Sequence, residues 1–153
     1  MEVNILIEHD EEEVSALPLE ELCCFVMDYM KCPANTELSL SFVTDERIHE
    51  LNRDFRGIDR PTDVLSFECD NLPFEGEDVN DEEVYELGDT IIAPDVAREQ
   101  TKLYGTTFEQ EVTLLITHSI LHLLGYDHIE EEEAQEMEAL EDEIIAAWNK
   151  SRS

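Results

Sequence analysis

The sequence predicts an α+β fold, in which a four-stranded mixed sheet packs against about five helices. Four short segments carry strand patterns, five longer segments carry apolar residues at helical spacing, and the two kinds are interleaved irregularly. The chain has 153 residues and shows neither a repeat period nor a Pro/Gly/Ser-rich linker. We therefore expect residues 1–153 to form a single domain.

The first three elements come from the N-terminal third of the chain. Residues 3–7 are a short apolar run, which predicts a buried strand. An acidic connection over 10–16 leads to a helix over 18–30, where Pro18 suits the first turn and apolar residues recur at helical spacing. Residues 37–43 alternate between apolar and polar side chains, which predicts a half-buried strand.

The next helix is predicted over residues 44–55. Thr44 is a suitable N-cap, and two acidic residues follow it where the helix dipole favours negative charge. A turn or loop over 56–61 leads to a third strand over 64–67. Residues 70–83 contain seven acidic residues and few apolar ones, which predicts a solvated loop.

The fourth strand is predicted over residues 84–92, with Gly88 marking a bulge or the close approach of another backbone. Pro94 suits the first turn of a helix that follows this strand directly. That helix should end near residue 104, because Gly105 readily adopts the left-handed conformation that ends helices.

Two helices complete the chain. Thr106 and Glu109 match a capping box for a helix over 107–124, which is the most apolar segment of the sequence. Because apolar residues cover more than one side of this helix, it should be central in the fold. The last helix, over 131–148, has an apolar inner face and an outer face that is nearly all Glu and Asp.

The charge of the chain restricts its partners. Asp and Glu total 40 against 9 Lys and Arg, which gives a formal net charge of -31. Such a chain should be very soluble and should repel polyanions at long range. Taken alone, this charge argues against nucleic acid as a partner.

The cysteines and the N-terminus indicate the compartment. Cys23, Cys24, Cys32 and Cys69 form no C-x-x-C pair, so reduced thiols packed as small apolar side chains are favoured over a disulfide framework or a zinc ribbon. The N-terminus lacks the basic and apolar regions of a signal peptide, and no apolar stretch approaches the ~20 residues that span a bilayer. We expect a cytoplasmic protein with no membrane partner.

Three of the five histidines lie within eleven residues: His118, His122 and His128. The first two are four apart, so on a helix their imidazoles lie on one face, and Gly125 allows the backbone to turn His128 back toward them. One histidine on an apolar face is usually a satisfied core residue, but three at this spacing predict a metal site. Three imidazoles leave a fourth position for water, which is typical of catalytic sites. We expect one divalent ion, with zinc as first choice, although imidazoles also suit nickel, copper or iron.

The spacing is similar to the extended zinc-protease motif H-E-x-x-H-x-x-G-x-x-H, with one decisive difference. Those peptidases use the Glu after the first His as the general base, and this chain has Ser119 there. A serine hydroxyl cannot act as a base at neutral pH. The metal site therefore needs a base from another residue or from the substrate.

Residues 118–128, H-S-I-L-H-L-L-G-Y-D-H, resemble the signature of the YbeY family of bacterial metal-dependent endoribonucleases. Two further blocks agree with that family in the same order along the chain: L-N-R-D-F-R-G-I-D-R-P-T-D-V-L-S-F over 51–67, and L-G-D with a following I-I over 87–92. The alignable region covers most of the chain. The family usually has Gly at the position of Ser119, and we expect the serine to be tolerated because it is not a ligand.

The resemblance implies a hydrolase of phosphodiester bonds that cuts single-stranded RNA, acts in small-subunit ribosomal RNA processing and ribosome quality control, and works with ribosomal RNA, the small subunit or ribosome-associated proteins. It implies metal ligation by His118, His122 and His128, and a functional role for Arg56 in the same cleft. A guanidinium can hold a phosphate bidentately and stabilise developing charge. Without the motif, Arg56 would be taken for a surface or loop-pinning residue.

The sequence leaves two alternative functions open, and its net charge conflicts with binding RNA. The metal could serve a hydrolase of peptides, esters or amides, or it could be structural in a non-catalytic ribosome-associated factor. The net charge is unfavourable for binding RNA. However, four of the nine basic residues lie within fourteen positions: Arg47, Arg53, Arg56 and Arg60. We therefore expect a locally positive cleft on an acidic body.

Overall fold

The computed structural model describes residues 1–69, 84–126 and 130–152. Within these residues four strands form one sheet with the order β1-β2-β4-β3, and six helices accompany it. The strands are β1 (Glu2–Ile7), β2 (Thr36–Phe42), β3 (Val64–Glu68) and β4 (Tyr85–Ile92). The helices are α1 (Glu11–Ser15), α2 (Leu19–Tyr29), α3 (Asp45–Arg56), α4 (Pro94–Tyr104), α5 (Phe108–Leu123) and α6 (Glu131–Arg152).

The sheet is mixed, as predicted. Strand β2 pairs in parallel with both β1 and β4, and β3 pairs with β4 in the antiparallel direction. The α+β class and the four strands are therefore confirmed. The predicted acidic loop over 70–83 lies outside the described residues.

Strand β1 lies at an edge of the sheet, and the prediction that it is buried is wrong. Ile5 and Leu6 are 38% and 55% exposed, whereas Val3 and Ile7 pack against the core. An apolar run cannot by itself reveal that its strand has only one neighbour, because that depends on strand order in the sheet. Strand β1 pairs with β2 alone among the described strands.

The predicted acidic connection contains a short helix, α1. Its first turn consists of three glutamates, where the helix dipole favours negative charge, and its Val14 is fully buried. Arg98 of α4 binds Asp10, which precedes this helix, and Glu13 in the middle of it. An apolar anchor and a distant cation therefore stabilise a helix in a segment whose composition indicates a loop.

Helix α5 is central, as its all-round apolar sequence predicted. It packs against β3, β4, α2, α4 and α6, and its residues Val112, Ile116 and Ile120 are almost fully buried. A second, smaller apolar cluster lies around α3 and β3 and consists of Val43, Ile48, Leu65 and Ala93. No helix in the described part of the chain is both long and apolar enough to cross a membrane.

Helix α5 begins one residue later than the predicted capping box requires. The N-cap is Thr107, whose hydroxyl accepts a hydrogen bond from the backbone N–H of Gln110 and whose own backbone N–H donates to the side-chain oxygen of Gln110. Thr106 instead donates to Glu111 at 2.6 Å. Both threonines suit an N-cap, so the local sequence alone could not choose between them.

Gly88 lies at a bulge where the backbone of β3 comes close to β4, as the sequence suggested. The β2–β4 register shifts between Glu37 and Leu38, so Leu87 is an extra residue in β4. Gly88 has a φ of 147°, and a β-carbon at this position would lie 2.3 Å from the carbonyl oxygen of Phe67. Only glycine lets β3 pair this closely with β4 at the bulge.

Candidate active site

His118 and His122 lie one turn apart on the C-terminal half of α5, and both are half-buried. Their spacing places the two rings on one face of the helix, as predicted. Gly125 follows the helix with a φ of 103°, in the left-handed region that the predicted turn requires. The third predicted ligand, His128, lies outside the described residues.

The ring of His118 is held by a carboxylate from α6. The His118 Nδ1 atom lies 2.5 Å from Oε1 of Glu141, whose side chain is only 8% exposed. The hydrogen bond that the ring donates to Glu141 raises the pKa of His118, against the lowering effect of burial. With Nδ1–H donating to the carboxylate, the ring's lone pair is on Nε2.

The ring of His122 has the same tautomer for a different reason. Its Nδ1 lies 3.1 Å from the backbone carbonyl oxygen of Tyr126. Because a carbonyl only accepts, Nδ1 must carry the proton and Nε2 the lone pair. Metal-binding histidines usually donate their second ring nitrogen to a carboxylate or a backbone carbonyl. Both described histidines therefore fit a metal held through Nε2.

Sequence reasoning missed Glu141. It lies on the inner face of α6, four residues after Met137 and three before Ile144, both of which are fully buried. A charged residue at a core position is rare unless it is paired. That break in the apolar stripe was the available signal, but sequence alone could not name its partner on α5.

Arg56 and His118 line one cavity of about 280 Å³ at the edge of the sheet beside β3. The cavity is lined by Asn52, Arg56, Ile58, Arg60, Thr62, Asp63, Val64 and His118. The lining thus contains two guanidinium groups and one carboxylate. The locally positive cleft stays a prediction.

Arg56 is the last residue of α3, and a buried amide contacts it. Its Nη1 donates to Oδ1 of Asn52 at 3.4 Å. The Asn52 side chain is almost fully buried and donates from Nδ2 to the carbonyl oxygen of Arg60 at 2.8 Å. Asn52 therefore connects the helix end to the loop that carries Arg60. Its role was not predicted from the sequence.

The other two arginines of the basic cluster bind carboxylates of their own helix. Arg47 contacts Glu50 at 3.3 Å, and Arg53 contacts Asp54 at 3.0 Å. Neither lines the cavity. The four arginines therefore divide into a pair at the cavity and a pair neutralised on the surface of α3.

Asp63 supplies the carboxylate of the cavity lining. One of its oxygens accepts from the backbone N–H of Val64 at 2.8 Å, and the other accepts from Gln100 at 3.0 Å. The backbone of Asp63 also accepts from Ala93. These bonds attach the start of β3 to the α4 side of the sheet, so Asp63 holds the wall of the cavity.

Ser119, at the position of the peptidase base, faces the sheet and is fully buried. Its hydroxyl lies 2.7 Å from the hydroxyl of Ser66 on β3 and 2.7 Å from that of Thr90 on β4. The serine therefore joins the central helix to two strands. These two contacts explain why a buried polar residue is tolerated there. Because its hydroxyl is bound to the sheet, we assign Ser119 no chemical role.

Across residues 1–69, 84–126 and 130–152, no group of three or more His, Cys, Asp or Glu side chains is arranged to hold a metal. The described part of the predicted ligand set is the pair His118 and His122. The metal and the role of His128 therefore stay predictions.

Comparisons by family profile and by sequence point to the same protein family. A family profile described as Endoribonuclease YbeY matches residues 4–149. A protein named Endoribonuclease YbeY from Thermoanaerobacter sp. is 44% identical over 159 aligned residues, which cover 98% of this chain and 100% of that protein. One of the same name from Clostridioides difficile is 43% identical, with 94% of each chain covered. A solution structure from Thermotoga maritima aligns with a TM-score of 0.58 at 29% identity and covers 97% of this chain and 93% of its own.

Proposed function

The chain belongs to the YbeY endoribonuclease family, and on that premise we propose that it is a metal-dependent endoribonuclease that cuts single-stranded RNA. Its substrate in the cell is ribosomal RNA of the small subunit, and it serves rRNA maturation and ribosome quality control in the cytoplasm. The observation that carries this proposal is that Arg56 and His118 line the same cavity. A guanidinium, which can bind phosphate, thus lines the same cavity as a histidine whose Nδ1 is held by Glu141.

The proposed ligands are Nε2 of His118, Nε2 of His122 and the imidazole of His128, holding one divalent ion, with zinc as first choice. Such an ion supplies Lewis acidity toward a phosphoryl oxygen and lowers the pKa of water. The Glu141 carboxylate and the Tyr126 carbonyl keep the two described rings in the ligating tautomer.

Arg56 is the group that we propose to contact the scissile phosphate. Its guanidinium can donate two parallel hydrogen bonds to phosphate oxygens and stabilise the charge that accumulates on them during cleavage. The bond to Asn52 limits the motion of Arg56, so less side-chain entropy is lost on binding. Arg60 adds a second positive charge to the same wall.

Two routes of cleavage are chemically open to such a site. A water molecule can attack the phosphate, or the 2′-hydroxyl of the RNA can attack it and leave a cyclic phosphate on the upstream fragment. Treating the products with acid and phosphatase, followed by mass spectrometry, separates a cyclic end from a linear one. We assign no side chain as the general base.

The proposal is tested by metal analysis together with cleavage of a labelled single-stranded RNA. Wild type, Arg56→Ala and His118→Ala are compared, with Arg53→Ala as the matched control, because Arg53 lies on the same helix and is paired with Asp54. We expect Arg56→Ala to keep its metal and to cut about 100- to 1,000-fold more slowly, the usual cost of removing one donor to a developing oxyanion. His118→Ala should lose both metal and activity.

Equal cleavage by all four proteins, or a wild type that binds no metal, would contradict the mechanism. A panel of peptide, ester and amide substrates tests the first alternative, a hydrolase of another class. Metal binding without any RNA cleavage would favour the second, a structural metal in a ribosome-associated factor. Because the net charge of -31 opposes RNA binding, we also propose that the small subunit or a ribosome-associated protein delivers the RNA.

A further inference from the structure

Phe55 is a largely exposed aromatic residue at the end of α3. It lies in the last turn of α3, directly before Arg56, and is 68% exposed. Single apolar residues on a protein surface are common, so exposure alone carries no function. The surroundings of Phe55 distinguish it from an incidental surface residue.

The ring of Phe55 packs against a neighbouring aromatic ring. It contacts Phe67 of β3 edge to face, with ring centroids 5.3 Å apart and an angle of 70° between the planes. Phe67 is half-buried and packs against the apolar cluster around α3 and β3. This contact limits where the ring of Phe55 can lie while most of its surface stays open to solvent.

The end of α3 is also fixed. Gly57 ends the helix with a φ of 71°, and its N–H bonds back to the carbonyl oxygens of Arg53 and Asn52. The aromatic ring and the guanidinium of the next residue are thus presented by one ordered turn. Arg56 lines the cavity that contains His118. Phe55 precedes Arg56 by one residue in the chain and does not itself line that cavity.

An exposed aromatic ring can bind RNA without a positive charge, of which this chain has little. A chain with a net charge of -31 has few cations with which to neutralise phosphates. Stacking of a nucleobase on an aromatic ring needs no positive charge, and every base has a π-face. Only an unpaired base offers that face, so stacking also selects single strands.

We propose that Phe55, supported by Phe67, is a stacking platform for an unpaired nucleobase of the RNA whose phosphate Arg56 binds. The inference rests on the proposed function and adds a binding subsite to it. The guanidinium holds the backbone, and the ring holds a base beside it. Selection for single strands is then a property of the end of α3.

The test measures binding of labelled oligoadenylate and oligouridylate to the full-length protein by fluorescence anisotropy, with probe length checked afterwards by gel. Phe55→Ala should weaken binding of oligoadenylate about 5- to 150-fold. Phe55→Leu, which keeps apolar area but no π-face, should weaken it similarly, and Phe55→Trp should restore it. Adenine stacks better than uracil, so wild type should prefer oligoadenylate, and Phe55→Ala should lose that preference.

Two controls isolate the stacking. Tyr104→Ala removes another exposed aromatic, 69% exposed in the last turn of α4 before Gly105, and should bind RNA like wild type. Phe55→Trp adds a surface tryptophan whose fluorescence should be quenched by oligoadenylate. Wild type sets the baseline, because its one tryptophan, Trp148, is buried.

The outcomes distinguish this proposal from the function on which it rests. If wild type binds and cuts single-stranded RNA but Phe55→Ala binds it equally well, the stacking platform is wrong and the nuclease assignment stands. The same holds if Tyr104→Ala loses as much affinity as Phe55→Ala, since the effect would then be non-specific. If wild type neither binds nor cuts RNA, both proposals fail.

Discussion

Removing the Glu141 carboxylate tests whether the proposed metal site depends on a residue that is not a ligand. The carboxylate is 2.5 Å from Nδ1 of His118 and 8% exposed, so water cannot readily replace it. Partners of this kind typically contribute 10- to 100-fold to metal affinity. We expect Glu141→Ala to weaken zinc binding by about that factor, which corresponds to about 1.4 to 2.7 kcal/mol.

The assay is competition between the protein and a chromophoric zinc chelator at neutral pH, with zinc content after dialysis as a second measurement. Glu138→Ala is the matched control. Glu138 lies on the same helix, is exposed, and lines a cavity of about 170 Å³ together with His118 and Glu141. The Glu138→Ala substitution removes one negative charge, as Glu141→Ala does, so it reports any general electrostatic effect on zinc binding. Glu141→Gln keeps an acceptor oxygen for Nδ1–H and should fall between wild type and Glu141→Ala.

The pH dependence of this effect has a definite sign. Glu141 raises the pKa of His118, so it stabilises the imidazolium, whose second proton occupies Nε2 and competes with the metal. The zinc affinity of wild type should begin to fall as pH drops through that raised pKa, and the weaker affinity of Glu141→Ala should begin to fall only at a lower pH. The wild-type advantage should therefore be largest above the raised pKa and shrink in acid. Equal affinities for wild type and Glu141→Ala at neutral pH, or equal losses in Glu138→Ala and Glu141→Ala, would refute the positioning role.

Two further substitutions test the scaffold of the site through urea unfolding. Ser119→Ala should lower the free energy of unfolding by about 1–3 kcal/mol, because two hydroxyls on the sheet lose the partner they share, while zinc content stays unchanged. An unchanged unfolding midpoint would show that those hydroxyls find other partners. Gly88→Ala should cost about 2–4 kcal/mol, since its β-carbon would lie 2.3 Å from the Phe67 carbonyl oxygen. Gly105→Ala should cost less, because φ is 67° there and an added β-carbon would meet no neighbouring atom within 4 Å. A larger loss of unfolding free energy in Gly105→Ala than in Gly88→Ala would contradict the close approach of β3 to Gly88.

Local sequence signals predicted the elements well because the interactions that define them are local. Thr44 caps α3 as predicted, through a bond to the backbone of Arg47 three residues on. The spacing of His118 and His122 placed both on α5. Errors arose where two neighbouring residues could serve equally, as at the N-cap of α5. They also arose where the deciding partner is distant, as for α1, whose Arg98 contacts come from α4.

The supporting residues of the site show the same limit more clearly. Asn52 and Glu141 act through side chains or backbone that other elements bring to them. Glu141 is 23 residues from His118, and only the packing of α6 on α5 connects the two. A buried charge within an apolar stripe predicts that a partner exists. The identity of the partner is a property of the tertiary structure, so the sequence could suggest candidate ligands but not what orients their rings.

The acidity of the chain is compatible with RNA chemistry once the range of each interaction is considered. At physiological salt the Debye length is about 8 Å, so carboxylates on the far side of the protein hardly affect a phosphate already in the cavity. There the lining counts, and its two arginines exceed its one carboxylate. The overall charge acts mainly on encounter and on non-specific contacts, both of which it weakens. On the proposed function, RNA is therefore retained by a few short-range contacts at the end of α3. A duplex offers no open base to such a site, and on the same proposal a partner brings the single strand to it.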